Sequence, residues 1–461
     1  MRPNALTPFR VLWKRAAQER SCRWSRAALE SGQQRRLAAL RLFALQRSAF
    51  YRRFHRGLED KPLTDLPVLT KATLMENFDA LVTDPNIRLA DVETFLRADD
   101  GAGLFQGRYV VLSTSGSTGR RGVFLFSVNE WMAALAAITR PMAWAGLSGG
   151  IRKPPRSAMI ASTTPWHYSA RVTLSLSSRL LPALRLDAAE PLDSMVRRLN
   201  DWQPEVLAGY PSVLRQLAEE QIAGRLRITL RSVATSAEVL TAETRRRVHD
   251  AWGLRMFDTY GATEYAPIAA ECAYGTKHLF EDGAIIEIVD ERGRAVPPGE
   301  MGDRLLLTVF GRYTQPLIRY EMSDMVRPID GECPCGRKFR IIESIEGRTE
   351  DVLYFPRRQR SGEMVPIHPN LFHQALETVP VSGWQVVHEE GGLSIALAGL
   401  RDDSICHPLS ETVRRLLESQ GAVAPPVSVR MVEVLERGAT GKAPLILSRK
   451  KSRACLASPG E

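Results

Sequence analysis

The stretch Leu112-Ser113-Thr114-Ser115-Gly116-Ser117-Thr118-Gly119-Arg120-Arg121-Gly122 decides which kind of fold this sequence specifies. Its glycines let the backbone approach an anion closely, and its hydroxyls and backbone N–H groups can donate to phosphate oxygens. It contains no Gly-Lys-Ser/Thr triplet of a Walker loop and no Gly-x-Gly-x-x-Gly of a dinucleotide fold. The apolar run at 109–112 predicts a strand before it. The sequence therefore predicts a phosphate loop, with an ordinary glycine- and serine-rich surface loop as the alternative.

Strand-like and helix-like segments alternate downstream of this loop. Strand-like runs at 109–112, 158–161, 206–208 and 232–234 alternate with helix-like stretches at 129–138, 192–199 and 213–222. The alternation predicts an α/β fold with a largely parallel sheet. Short strands at 284–289 and 304–309, on either side of a Pro-Pro-Gly turn, predict a β-subdomain. After residue 347 a fresh series of strands and helices predicts a small α+β domain.

The positive charge of the chain is concentrated at its N-terminus. The 461 residues carry a net charge of +10, and residues 1–60 hold 14 Lys/Arg against 4 Asp/Glu, so the rest is balanced. This distribution argues against a nucleic-acid-binding protein. Helical spacing of Leu37, Leu40 and Ala44 predicts that the arm is helical and packed, with a solvated charged face. Contact with a membrane surface or an acidic partner is the alternative that stays open.

Other composition features exclude several classes of protein. The N-terminal residues are interrupted by arginines and do not form a signal peptide, and no apolar run reaches the roughly 18 residues of a membrane span. Six cysteines in a chain of this length do not form a disulfide framework. We therefore expect a soluble cytoplasmic protein with no transmembrane segment and no nucleic-acid partner.

Four further motifs follow the loop in order: Asp258-Thr259-Tyr260-Gly261-Ala262-Thr263-Glu264, Ile318-Arg319-Tyr320-Glu321-Met322-Ser323-Asp324, Gly347-Arg348-Thr349-Glu350-Asp351 and Gly438-Ala439-Thr440-Gly441-Lys442. The ordered set resembles the adenylate-forming superfamily of acyl-CoA synthetases, luciferases and peptide-synthetase adenylation domains. The resemblance covers nearly the whole chain. It implies a large AMP-binding domain at 1–346, with the basic helical arm at 1–60 and parallel sheets, and a small mobile lid domain at 347–461. We expect residues 447–461 to be a frayed tail.

The resemblance implies ATP and Mg²⁺ as ligands of the large domain. Thr118 would lie near the Mg²⁺, and Glu264 would ligate this ion, which neutralises charge on the leaving pyrophosphate. Tyr260 would stack on adenine, and Asp324 would accept hydrogen bonds from the ribose hydroxyls. The remaining nucleotide contacts that the resemblance implies are Thr114, Ser115, Gly116, Ser117 and Gly119 on the phosphates, Ser236, Ala237 and Glu238 over the second face of adenine, and Gly261, Thr263 and Arg348.

The resemblance also implies a division of labour between the two domains. Lys442, on the small domain, would reach the substrate carboxylate and the α-phosphate, so that docking of this domain completes the site. Glu350 and Asp351 lie at the hinge of the family. Rotation there would withdraw Lys442 and admit the acceptor of the acyl group.

Within the superfamily, the segments 50–52, 66–71, 204–212 and 333–337 resemble the phenylacetate–CoA ligase and capsule-biosynthesis branch. This implies activation of an aromatic or medium-length carboxylic acid to an acyl adenylate, followed by transfer to CoA or to a carrier-protein thiol. The adenylation motifs serve only the first half-reaction. Transfer to an amine or hydroxyl, transfer of AMP itself, and a catalytically retired scaffold therefore stay open as alternatives.

Some positions depart from the pattern or suggest further roles. Arg121-Gly122 replaces the usual Pro-Lys after the loop, and Arg120 or Arg121 would substitute for the lysine. His167 and Tyr210 fall where the family places its acyl pocket. A core or surface position is the alternative for His167, and we assign it no role as a general base.

Three cysteines and one histidine predict a metal site. Cys272, His278, Cys333 and Cys335 supply the ligands of a Cys₃His zinc centre, although the Cys-x-Cys spacing is tighter than the common two-to-four-residue gap. Members of the resembled branch carry a similar arrangement. We expect a structural Zn²⁺, with reduced, half-buried thiols as the alternative.

Overall fold

The computed structural model describes residues 7–98, 103–114, 121–145, 155–176, 182–348, 351–358, 362–376, 379, 381, 383–400, 402–437 and 443–449. The helices in these ranges are α1 (Thr7–Ser21), α2 (Arg26–Arg47), α3 (Ala49–Phe54), α4 (Lys71–Glu76), α5 (Phe78–Leu81), α6 (Leu89–Ala98), α7 (Val128–Ile138), α8 (Arg140–Trp144), α9 (Tyr168–Leu176), α10 (Leu192–Trp202), α11 (Pro211–Ile222), α12 (Ala242–Trp252), α13 (Pro369–Leu376) and α14 (Cys406–Ser419). The strands are β1 (Tyr109–Ser113), β2 (Val123–Ser127), β3 (Ser157–Ala161), β4 (Ala183–Asp187), β5 (Val206–Gly209), β6 (Ser232–Ser236), β7 (Met256–Tyr260), β8 (Ala269–Glu271), β9 (Lys277–Leu279), β10 (Ala284–Val289), β11 (Arg304–Val309), β12 (Tyr320–Met322), β13 (Asp324–Ile329), β14 (Ile341–Arg348), β15 (Leu353–Pro356), β16 (Met364–Ile367), β17 (Gly383–Glu389), β18 (Gly392–Ala398), β19 (Val427–Val432) and β20 (Ile446–Ser448).

A nine-stranded sheet organises the large part of the chain. Its order is β13-β14-β9-β8-β7-β6-β5-β3-β4, parallel from β4 to β7 and antiparallel from β7 to β13. Helices α10, α11 and α12 connect consecutive parallel strands, as crossover connections of this kind require. The predicted α/β fold with a parallel sheet is confirmed.

The strand before the phosphate loop does not join this parallel sheet, contrary to our expectation. β1 pairs with β2 in antiparallel register, from Tyr109 opposite Ser127 to Ser113 opposite Val123. The physical reason is length, because a parallel crossover needs a dozen or more residues and only 114–122 separate the two strands. The loop therefore closes a hairpin.

The predicted β-subdomain is a separate antiparallel sheet, β10-β11-β12. The bounds of β10 and β11 match the expected strands at 284–289 and 304–309. Apolar side chains of β10 and β11, together with those of β1 and β2, belong to one large hydrophobic core that also includes Leu40 and Ala44 of α2.

The basic arm packs against the rest of the large domain through some of its charged and polar side chains as well as through its apolar stripe. Arg26 of α2 forms an ion pair with Glu281 at 2.7 Å. Ser21, at the end of α1, donates to the carboxylate of Asp282. That carboxylate also pairs with Arg140 at 2.8 Å, and both partners are buried. Within the described ranges, the structure contains no helix with the length and apolarity of a membrane span.

A separate sheet of four strands, in the order β19-β18-β17-β20, forms the small C-terminal unit together with α13, α14 and the β15–β16 hairpin. Its apolar side chains form a core of their own between Leu353 and Ile446. The frayed tail expected from residue 447 is wrong for the first residues of that range. Ile446–Ser448 pair with β17 as a parallel strand, and Arg449 pairs with Glu389 at 3.0 Å. Residues 450–461 lie outside the described ranges.

Candidate active site

A cavity of about 1860 Å³ opens at the carboxyl ends of the parallel strands and extends to the small C-terminal unit. Gly209, Ser236 and Tyr260, the last residues of β5, β6 and β7, line it. Ala443 and Pro444 line it from the small unit. Ligands of open α/β sheets bind at this edge of the strands. The cavity is therefore where the sequence motifs should converge.

The two ends of the predicted phosphate loop meet at the cavity wall, which Thr114 lines. The N–H of Thr114 donates to the carbonyl of Gly122, and the N–H of Gly122 donates to Oγ1 of Thr114, both at 2.9 Å. These two hydrogen bonds close the base of the loop, and the Thr114 hydroxyl is the acceptor in one of them. Ser115, Gly116, Ser117, Thr118 and Gly119 lie outside the described residues.

Lys71 reaches the same wall, and our sequence reasoning did not assign it a role. A Cβ atom on Gly122 would lie 3.0 Å from Cε of Lys71, so the lysine stem passes directly over this glycine. Lys71 lines the cavity and follows Thr70, whose side chain caps α4. Of the two arginines expected to replace the missing loop lysine, Arg121 donates to Oγ of Ser113 at 2.9 Å, and Arg120 lies outside the described residues. The position of Lys71 within the 66–71 motif was the signal in the sequence.

Glu264 is a buried carboxylic acid on the cavity wall. The hydroxyl of Tyr320 donates to its Oε1 at 3.0 Å, and Arg312 donates to its backbone carbonyl at 3.0 Å. Burial raises the pKa of Glu264, against the opposing effect of the Tyr320 hydrogen bond and of the Lys71 charge. Tyr320 thus fixes the carboxylate and Arg312 the backbone of Glu264, and the sequence motif predicted neither bond.

The predicted adenine and ribose residues lie together. Tyr260 and Asp324 line the cavity, and burial, followed by the charge of Asp324, raises the pKa of Tyr260. Nε of Arg348 lies 3.7 Å from Oδ1 of Asp324. The N–H of Arg348 donates to Oδ2 of Asp351 at 3.1 Å, at the start of the expected hinge. Gly261 and Thr263 also line the cavity, and Glu350 lies outside the described residues.

The segment Ser236, Ala237 and Glu238 holds the small unit against the large one. Ala237 has a φ of 73°, a strained conformation for a residue with a Cβ. Glu238 accepts from the N–H of Ser212 at 3.0 Å and from the N–H of Ala443 at 3.2 Å.

A second contact between the two units lies on α11. Arg437 of the small unit donates to Oε1 of Gln216 at 3.0 Å. Arg437 and Ala443 are the described residues on either side of 438–442, and both contact the large unit. Lys442 itself lies outside the described residues.

The predicted acyl-pocket residues are joined by a residue that we had not singled out. Nδ1 of His167 lies 2.7 Å from Oγ of Ser162, and the N–H of Ser162 donates to the hydroxyl of Tyr210 at 3.0 Å. Both predicted residues line the cavity, as does Gly209. A Cβ on Gly209 would lie 2.8 Å from the carbonyl oxygen of Ile160, so the two strands approach closely here.

The four predicted metal ligands come together beside the sheet. Their ligand atoms all lie within 4.8 Å of one another, with Cys272 Sγ 3.5 Å from Cys333 Sγ and Cys335 Sγ 3.3 Å from His278 Nε2. Ligand bonds of about 2.0–2.3 Å in a tetrahedron put ligand atoms roughly 3.5–3.8 Å apart. Nδ1 of His278 faces the carbonyl of Phe339 at 3.4 Å, which leaves Nε2 for a metal. The donor set therefore fits a tetrahedral Zn²⁺.

Comparisons with known proteins show which families and folds the chain resembles. Residues 108–307 match the family of AMP-binding enzymes. The chain is 26% identical over 395 residues to a phenylacetate–coenzyme A ligase of Thermus thermophilus, covering 80% of this chain and 81% of that protein. It is 23% identical over 303 residues to protein CapK of Staphylococcus aureus, covering 63% and 60% of the two chains. The solved structure of 2-hydroxyisobutyryl-CoA ligase in its postadenylation state shares the fold, with a TM-score of 0.69, 20% identity and coverage of 90% and 88%.

Proposed function

Because the chain is a member of the adenylate-forming superfamily, on its phenylacetate–CoA ligase branch, we propose that it activates a carboxylic acid with ATP and transfers the acyl group to coenzyme A. In the first step the carboxylate attacks the α-phosphate, forming an acyl adenylate and releasing pyrophosphate. In the second, the thiol of CoA attacks the acyl carbon and AMP leaves. The acid would be aromatic or of medium length, because the acyl side of the cavity combines aromatic and small side chains.

The observation that carries this proposal is the closure of one cavity by both units. The nucleotide residues Tyr260 and Asp324 face it from the large domain, and Ala443, next to Lys442, faces it from the small one. A carboxylate and a phosphate repel one another, so they react only when cationic groups align them and stabilise the charge that builds up. Lys442 and Lys71 would supply that charge.

Each half of the ATP molecule has matching groups. Arg348 and Asp324 would fix the ribose, and Tyr260 would stack on adenine. Glu264, with one oxygen held by Tyr320, would bind Mg²⁺, which when bound neutralises pyrophosphate as it leaves. After adenylation, rotation at Glu350 and Asp351 would remove Lys442 and admit CoA.

We further propose that Cys272, His278, Cys333 and Cys335 hold a structural Zn²⁺. The ligands come from the β8–β9 hairpin and from the segment before β14, so the ion would tie neighbouring parts of the sheet together. It lies outside the residues that line the acyl part of the cavity, and no step of the reaction involves it.

The experiment is acid-dependent pyrophosphate release from ATP with a panel of aryl and medium-chain acids. We expect release without CoA, loss of at least about a hundredfold in Lys442→Ala, and no change in the control Lys61→Ala, an exposed lysine that does not line the cavity. Adding CoA, an amine or a carrier protein then identifies the acceptor by the product formed. Absence of release with every acid, from folded protein, would refute the proposal and favour a retired scaffold.

A further inference from the structure

Helix α1 packs against the protein through one face and carries exposed aromatic side chains on the other. On the inner face, Val11 is buried and Nε2 of Gln18 donates to the carbonyl of Ala133 in α7 at 3.1 Å. On the outer face, Phe9 is 69% exposed and Trp13 is 67% exposed. The inner contacts already hold the helix in place, so packing does not account for the outer aromatic side chains.

The outer residues form one continuous stripe. At about 100° per residue, Phe9, Trp13, Ala16 and Arg20 lie within a sector about 60° wide on the side opposite Val11. Leu12, 48% exposed, extends the stripe on one edge. Exposed large apolar side chains gathered in one place mark an interaction surface.

Basic side chains border this stripe. Arg20 ends the stripe, Arg10 lies beside Phe9 at its start, and Arg23 follows two residues after the helix; all three are exposed. The only acidic residue between positions 9 and 25 is Glu19, and its carboxylate pairs with Arg15 at 3.1 Å. The surface is therefore aromatic and cationic, with its single acidic charge already neutralised.

We propose that the outer face of α1 docks the protein on an anionic lipid bilayer, with the helix lying in the plane of the interface. Aromatic rings settle at the level of the headgroups, and arginines bind lipid phosphates while extending their stems along the apolar layer. Stable peripheral binding needs two signals, an apolar face and a basic one, and α1 provides both.

A protein partner fits this surface less well. A helix of 15 residues is about 22 Å long, and a single stripe along it falls short of the roughly 800 Å² that each partner contributes to a stable interface. A bilayer requires no shape-complementary partner surface, and an anionic one attracts positive charge spread along the helix. A second copy of this chain would bring the same arginines against each other.

The test is flotation of the full chain with vesicles of phosphatidylcholine alone and of phosphatidylcholine mixed with phosphatidylglycerol. We expect binding only to the mixed vesicles, weakening as salt rises. Each basic residue near an anionic surface strengthens adsorption about fivefold, so Arg10→Gln/Arg20→Gln/Arg23→Gln should bind on the order of a hundredfold more weakly.

The apolar contribution is tested separately. Phe9→Ser/Trp13→Ser should bind at least about tenfold more weakly, because each ring loses its burial in the interface. Ile222→Ser, at an exposed apolar position that ends α11, is the matched control and should bind like the parent. All variants change exposed side chains and should keep the parent's unfolding midpoint.

Three results would overturn the proposal. One is no flotation with the mixed vesicles at low salt. Another is flotation of Phe9→Ser/Trp13→Ser equal to that of the parent, which would show that the binding comes from non-specific charge alone. The third is a concentration-dependent dimer that this double variant abolishes, without vesicle binding, which assigns the stripe to a second copy of the chain.

Discussion

Lys71→Met isolates one charge at the end of the cavity where we propose that the phosphates bind. Methionine keeps an unbranched stem of similar length, so the packing over Gly122 should persist while the ammonium is lost. Two unit charges 4 Å apart interact by about 1 kcal/mol in water and about 4 kcal/mol at an effective dielectric constant of 20. Lys71 is half-buried in an open cavity, which places its contribution to ATP binding near the middle of that range.

A loss of about 2 kcal/mol is roughly 30-fold in kcat/KM for ATP. The assay is the initial rate of acid-dependent pyrophosphate release as ATP is varied, and the same ratio is expected in the Kd for ATP by calorimetry, which needs no acid substrate. The KM for the acid should stay within about twofold, because in our proposal Lys71 acts mainly on the phosphates of ATP. Lys61→Met, in an exposed turn, is the matched control and should behave as the parent.

The reasoning about Lys71 fails if Lys71→Met keeps more than a third of the parent's kcat/KM and affinity for ATP. It also fails if Lys71→Arg, which restores the charge, is no better than Lys71→Met. A lower unfolding midpoint in Lys71→Met would show instead that the stem was disturbed, and Lys71→Arg then decides between the two causes.

Three further predictions concern other parts of the molecule. Purified protein should carry one equivalent of zinc by elemental analysis; Cys333→Ser should lose it and Cys406→Ser, on α14, should not, and equal zinc in both variants would contradict the site. Gly209→Ala should lower the free energy of unfolding by about 1–3 kcal/mol, because the added methyl group meets a backbone oxygen at 2.8 Å. Gly391→Ala, whose methyl group would have no described atom within 4 Å, is the control and should melt like the parent. Identical melting curves for the parent and both variants would contradict this prediction. Asp282→Asn leaves a buried arginine without its counter-charge and should cost about 3–5 kcal/mol in urea unfolding, so an unchanged midpoint would show that this ion pair does not hold the arm.

Local sequence patterns predicted most helices and strands, because apolar periodicity and turn-forming residues determine structure over a few neighbouring residues. The helix that ends at Ile222 and the strands that begin at Ala284 and Arg304 follow directly from such patterns. The pairing of β1 did not follow, because strand periodicity is the same in parallel and antiparallel sheets. Only the short connection between Ser113 and Val123 distinguishes the two, and it was in the sequence to be counted.

The candidate site shows the same limit at longer range. Motif order brought out Tyr260, Glu264 and Asp324, which lie around one cavity. Tyr320 and Lys71 both lie within sequence motifs, but nothing in those motifs shows that Tyr320 contacts Glu264 or that Lys71 passes over Gly122. Such partners follow from tertiary packing alone. Tertiary packing also decides which arginines of the arm are buried and which are exposed, because their spacing in the sequence did not separate the two groups.

Strand β14 connects two features that are otherwise far apart in the molecule. It begins with Ile341 opposite His278, beside the metal ligands, and ends with Arg348 opposite Asp324, where the chain passes into the small domain. The eight residues span roughly 26 Å at about 3.3 Å each. In our proposal, β14 therefore joins the zinc ligands at one end to the hinge at the other. We expect that a metal held at the first end, although it takes no part in the reaction, would also steady the strand from which the small domain rotates.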